Sequence, residues 1–164
     1  LADVERLEKD MMGNPKFKVY FDSLLQEMRE DFLEYHRLPT DAKKTITKIR
    51  NAGRKKQALR TYKFYKDMYL ALQEMYRVLK PGAKAVIIIG NNHYKLNDDY
   101  EEVRNDEAIK EMAIAIGFKE DRMIRRELEK SMSGMIRHES IVIIQKKARL
   151  ESYPDAGNVS ITRI

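Results

Sequence analysis

The sequence predicts an α/β domain with a helical, basic segment in front of it, on three observations. Apolar residues recur at three- and four-residue spacing over 17–37 and again over 64–79. That pattern breaks at Lys80-Pro81-Gly82 and gives way to an unbroken apolar run at 85–89, the mark of a strand covered on both faces by helices. Two further short apolar stretches follow a helix that closes on Gly117.

Taken in chain order, residues 2–12 are expected to form a charged helix. Residues 17–37 form a second, with Phe17, Tyr20, Phe21, Leu24, Leu25, Met28, Phe32 and Tyr35 on one stripe and Pro39 closing it. A helix interrupted at Gly53 carries the basic run, and the next places Phe64, Met68, Leu72, Met75 and Leu79 on one face. Residues 85–89 then read as a central, parallel strand of an α/β sheet, and 97–99 as a polar loop. Residues 106–116 are a helix expected to pack across that strand. Strands near 123–128 and 141–146 are expected to pair antiparallel, and 149–164 reads as a tail with a turn at 155–158. The expected division is a helical segment over 1–59, a sheet-bearing unit over 60–147 and a tail over 148–164.

The 164 residues suit one ordinary domain, and a hydrophobic content of 43% supplies a core. No run approaches the roughly 18 apolar residues of a membrane span, and the opening "LADVERLEKD" has no signal-peptide character, so a soluble cytoplasmic protein with no membrane partner is expected. The absence of cysteine rules out disulfides, thiolate metal sites and cysteine nucleophiles. His36, His93 and His138 lack the i, i+4 spacing of a helical metal site, so no metal is expected.

Charge is concentrated. Between Asp41 and Lys66 stand Lys43, Lys44, Lys48, Arg50, Arg54, Lys55, Lys56, Arg60, Lys63 and Lys66, with Asp41 the only acid, in a chain of net charge +6. Such a run either faces solvent along a helix or holds phosphates. Tyr62 and Tyr65 beside Arg60 and Lys63 bring the nucleic-acid reading level with the solvated face, because rings can stack on unpaired bases where cations hold the backbone. Arg54, Lys55, Lys56, Arg60, Tyr62 and Lys63 are the candidate contacts. At the end of 85–89, Gly90, Asn91, Asn92 and His93 occupy the place where open sheets bind ligands. An amide there can donate and accept toward a base edge, or it can simply support a turn.

The segments "RVLKPGAKAVIIIGN" (77–91), the "IGF" that ends the following helix (116–118) and "RHESIVIIQKK" (137–147) together resemble the C-terminal half of S-adenosylmethionine-dependent, class I methyltransferases, which have a Rossmann-like sheet. The closest likeness is to the DNA amino-methyltransferases that act on adenine N6 or cytosine N4, and it covers about residues 60–147. The resemblance implies that 85–89 is the fifth strand and that the last two strands are the sixth and seventh, the antiparallel end of a seven-stranded sheet. It also implies S-adenosylmethionine as cofactor, DNA as substrate and methyl transfer to an exocyclic amino nitrogen, with Arg137 and His138 near the target base. A rim ion pair of Arg137 or His138 with Glu139 is the other reading of that pair. Guanine in transfer RNA is the alternative substrate, and a nucleic-acid-binding or assembly module without its own cofactor site is the alternative function.

The chain departs from the family in three ways. Ala83 stands where a second glycine is usual, no Gly-rich cofactor loop with an acid behind it is present, and the Asp/Asn/Ser-Pro-Pro-Tyr/Phe tetrapeptide is missing. The resemblance therefore implies that the first four strands and most of the catalytic centre lie upstream of Leu1. An open sheet edge in such a unit would also favour a homodimer.

Overall fold

The helix over 40–51 forms because Ala42, Ile46 and Ile49 share one face, Asp41 lies near its positive end and Lys48 and Arg50 near its negative end. In the computed structural model, which describes residues 37–96, 99–128 and 138–148, this is α1 (Thr40–Asn51). The helices expected at 2–12 and 17–37, apart from Arg37, and the tail beyond Ala148 fall outside the described residues. Gly53, at φ 77°, turns the chain into α2 (Lys55–Val78), so the interruption expected there is present. Ala58, Tyr62, Tyr65, Met68 and Leu72 recur along the buried face of α2. This helix runs through the 59/60 boundary without a break, and Ile46 and Ile49 from one side share a core with Leu72 and Ile109 from the other.

At the end of α2 the side chain of Lys146 donates to the carbonyls of Tyr76 (2.6 Å) and Leu79 (2.9 Å) and lies 4.8 Å from the centre of the Tyr76 ring. A cation at this negative helix end satisfies carbonyls that have no helical partner. Gly82, at φ 80°, then turns the chain into β1 (Lys84–Gly90). A hairpin follows, β2 (Asn92–Leu96) and β3 (Asp99–Val103), and then α3 (Asn105–Ile116), β4 (Phe118–Glu127) and β5 (His138–Lys146). Gly117, at φ 124°, closes α3 as expected.

The three-stranded sheet has the order β1-β5-β4. β5 runs antiparallel to both neighbours, pairing Ile87 with Val142 on one side and Met123 with Val142 on the other, so β1 and β4 run in the same direction with β5 between them. The antiparallel pairing expected for the last two strands is present. α3 packs on all three strands, α2 packs on α1 and α3, and the buried side chains lie between these helices and one sheet face.

One expectation is corrected. Among the described residues, 85–89 do not form a parallel strand covered on both faces. Among the described residues β1 pairs only with β5, antiparallel, and forms the sheet edge. Ala85, Ile87 and Ile89 turn toward the helices, whereas Val86 and Ile88 are each 59% exposed. The apolar run satisfies both sheet faces, but the described residues place helices against only one. The β2–β3 hairpin buries Leu96 and Val103 and half-buries Tyr94; of the polar loop expected at 97–99, Asn97 and Asp98 fall outside the described residues and Asp99 begins β3.

Candidate functional site

Because β1 and β4 run together and β5 runs against them, Gly90 at the carboxyl end of β1 sits opposite Glu139, next to His138 at the start of β5. The β2–β3 hairpin leaves that point and returns at Arg104, which brings the first turn of α3 back to the same strand end. Gly90, Asn91, Asn92, His93 and His138 thus meet at one end of the sheet. Arg137 lies outside the described residues.

The buried centre of this end is built from residues absent from the sequence-based candidates. Asn105 is 2% exposed, donates from Nδ2 to the Gly90 carbonyl at 2.9 Å and accepts at Oδ1 from the Tyr65 hydroxyl at 3.1 Å. Asp106 has no exposed surface. Its carboxylate accepts from Ser140 Oγ (2.7 Å), from the Glu107 N–H (2.9 Å) and from Arg125 through Nε (3.2 Å) and Nη2 (3.1 Å). Burial pushes the Asp106 carboxyl up, but hydrogen bonds from Ser140, the Glu107 N–H and Asn91, with the Arg125 charge, outweigh it and hold the group below its ordinary range. Tyr65 is pushed above the ordinary phenol range by burial first, then by Tyr94 and the Asp106 charge. It is a neutral hydrogen-bond donor.

Asn91 Oδ1 accepts from the Asp106 N–H in the first turn of α3 at 3.2 Å, while its Nδ2 donates to Glu102 Oε1 at 3.3 Å. That leaves Asn92 and His93 as the solvent-facing candidates, both exposed, with His93 Nε2 4.0 Å from Glu102 Oε1. His138 is exposed, and among the described residues the ion-pair partner of Glu139 is Arg126. On the outer face of the hairpin, His93 and Lys95 lie across from Glu102 and Tyr100, and Tyr100 is 70% exposed. Tyr100 and Lys95 sit in a polar stretch with no motif; only their alternation with Tyr94 and Leu96 could have pointed to them.

The aromatic part of the basic segment is corrected. Tyr62 is fully buried and Tyr65 is 1% exposed, so neither ring is open to a base. The reason is phase: both lie on the inner stripe of α2. Lys63 pairs with Asp67 and its side chain is only 12% exposed. Arg54, Lys55, Lys56 and Arg60 are exposed.

A cleft of about 90 Å³ opens beside the buried cluster, lined by Pro39, Asp41, Thr45, Tyr65, Arg104 and Glu111 among others. Its volume is well below the roughly 300–1,000 Å³ of small-molecule sites. The Asp106 carboxylate at the strand end is engaged inside the protein by Ser140, the Glu107 N–H and Arg125. No family model, curated protein or solved structure matches the chain.

Proposed function

We propose that the chain is part of an S-adenosylmethionine-dependent methyltransferase that modifies an exocyclic amino nitrogen of a nucleic-acid base, with DNA the first choice of substrate and guanine in transfer RNA the alternative. The observation that carries this reading is the α2–β1 junction. "RVLKPG" closes the helix and turns it into a strand whose carboxyl end, at Gly90, is locked by Asn105. The codirectional β1 and β4, with a helix in the crossover between them, support it as a fragment of a Rossmann-like sheet.

The cofactor belongs to the complete protein in this reading. The contribution of these 164 residues is the rigid strand end, the exposed Asn92, His93 and His138 beside it, and cations for the backbone. Duplex substrate would have to present its base unstacked. The exposed cations Arg54, Lys55 and Lys56 also favour a second reading, a nucleic-acid-binding or assembly module with no methyl transfer of its own.

Transfer of labelled methyl from S-adenosylmethionine separates the two. The complete protein is expected to label DNA or transfer RNA, and the 164 residues alone to bind the cofactor weakly or not at all and to label neither. In the complete protein, replacing exposed Asn92 or His93 by Ala is expected to lower transfer at unchanged melting temperature. Micromolar cofactor binding with turnover by the isolated chain would show the active site to be misplaced. No labelling by the complete protein would leave the binding module.

A further inference from the structure

The cations of the basic segment divide into two groups. Lys44 pairs with Asp41 at 3.2 Å, Lys48 with Glu101 and Lys63 with Asp67, while Lys43, Arg60 and Lys66 also have interaction partners. Arg50, Arg54, Lys55 and Lys56 remain: all four are exposed, and among the described residues none has a carboxylate partner. They crowd within seven positions at the corner between α1 and α2, where Gly53 turns the chain. The first turn of α2 holds no acid, although cations there oppose the positive end of the helix. This charge concentration therefore lowers the stability of the isolated chain and suits an external anion.

The corner has a definite place in the fold. α2 joins β1 through a tight turn, so the two run in opposite directions, and Tyr65 reaches Asn105 at the carboxyl end of β1. Lys55 lies ten residues before Tyr65, which carries the corner about 15 Å past that strand end along the helix axis. A polyanion held there crosses the end of the sheet that bears Asn92, His93 and His138.

We propose that Arg50, Arg54, Lys55 and Lys56 form a clamp for the phosphodiester backbone of duplex nucleic acid, independent of base sequence, that holds the substrate across the carboxyl end of β1. Tyr62 and Tyr65 are buried, so their rings provide no stacking surface, and contact at the corner is with phosphate. The identity of the partner rests on the nucleic-acid reading above; the location of the clamp rests on the geometry.

The test is fluorescence anisotropy of labelled 20-base-pair duplexes of two unrelated sequences, and of the matching single strands, with the 164-residue chain between 50 and 200 mM salt. Four phosphate contacts give a slope of about −3.6 in log affinity against log salt, or roughly a 100-fold loss over that range, equal for both sequences. A variant with Arg50, Arg54, Lys55 and Lys56 all replaced by Gln is expected to lose most of that slope. A control with Lys80, Lys119, Arg122 and Lys147 replaced by Gln carries the same charge change elsewhere and is expected to keep it. The milder pair Lys55→Gln and Lys56→Gln removes about half the slope while raising the melting temperature slightly, which excludes unfolding as the cause. Equal losses in both quadruple variants, or tighter binding of single strands than of duplex, would overturn the clamp and leave the nucleic-acid reading standing. Failure of the unaltered chain to bind any nucleic acid at 50 mM salt would overturn both.

Discussion

Asp106 combines full burial with a negative charge, which is tolerable only because every direction around its carboxylate supplies a donor. Replacing it by Asn leaves Ser140 and Arg125 with a weaker acceptor and is expected to cost about 2–3 kcal/mol by denaturant melts near neutral pH. Its folded-state pKa is depressed, so the stabilisation is fully present above the unfolded value and fades as pH falls through the folded one. The difference between the native chain and D106N should accordingly be constant above about pH 5 and shrink below about pH 4. A gap that persists at low pH would mean that shape, not charge, holds the site. Part of this cluster was legible: Asp106 and Glu107 mark a helix start in the sequence. Its long-range partners were not, because Ser140 and Tyr65 lie 34 and 40 positions away from the residues they bond. Tyr62 was misread because its charged neighbours were weighed above its phase with Ala58, Tyr65 and Leu72.

The two sheet edges differ in how they are built. β4 carries Lys119, Glu120, Asp121, Arg122, Arg125 and Arg126 and has an irregularity between Glu120 and Arg122, which discourages further pairing. β1 is smooth and apolar, with Val86 and Ile88 exposed. The apolar run and the Pro81-Gly82 turn revealed the strand, but a run apolar on both faces does not disclose which face the rest of the chain covers. Truncation separates the faces. Ile144→Ala is expected to cost about 2–4 kcal/mol, since the side chain is fully buried, whereas Ile88→Ala should cost under about 1 kcal/mol in the same chemical melts. Similar losses would mean that the outer face is covered after all. Gly117 tests the α3–β4 junction: its φ is 124°, and an added Cβ would lie 3.1 Å from the Tyr76 hydroxyl. Gly117→Ala should therefore lower stability by more than about 1 kcal/mol.

At the scale of the whole molecule, the described residues divide the basic segment into paired and unpaired cations. Ten basic residues between Asp41 and Lys66 looked like one surface; pairing with Asp41, Glu101 and Asp67 removes three, and four cluster at the α1–α2 corner with no carboxylate partner among the described residues. Selective loss of the salt slope in the corner variant is the expected sign that the cluster acts as a unit. The helix-to-strand rhythm and the "RVLKPG" junction were readable from local spacing. The strand end itself was readable only as a position, because its polar groups are assembled from five separate segments, around Tyr65, Asn91, Asn105, Arg125 and Ser140. The most direct measurement is label transfer from S-adenosylmethionine by the complete protein to duplex DNA and to transfer RNA, run beside the isolated 164 residues. The expected result is label on a base amino nitrogen with the complete protein and none with the isolated chain; label in neither substrate from the complete protein would contradict the proposed function.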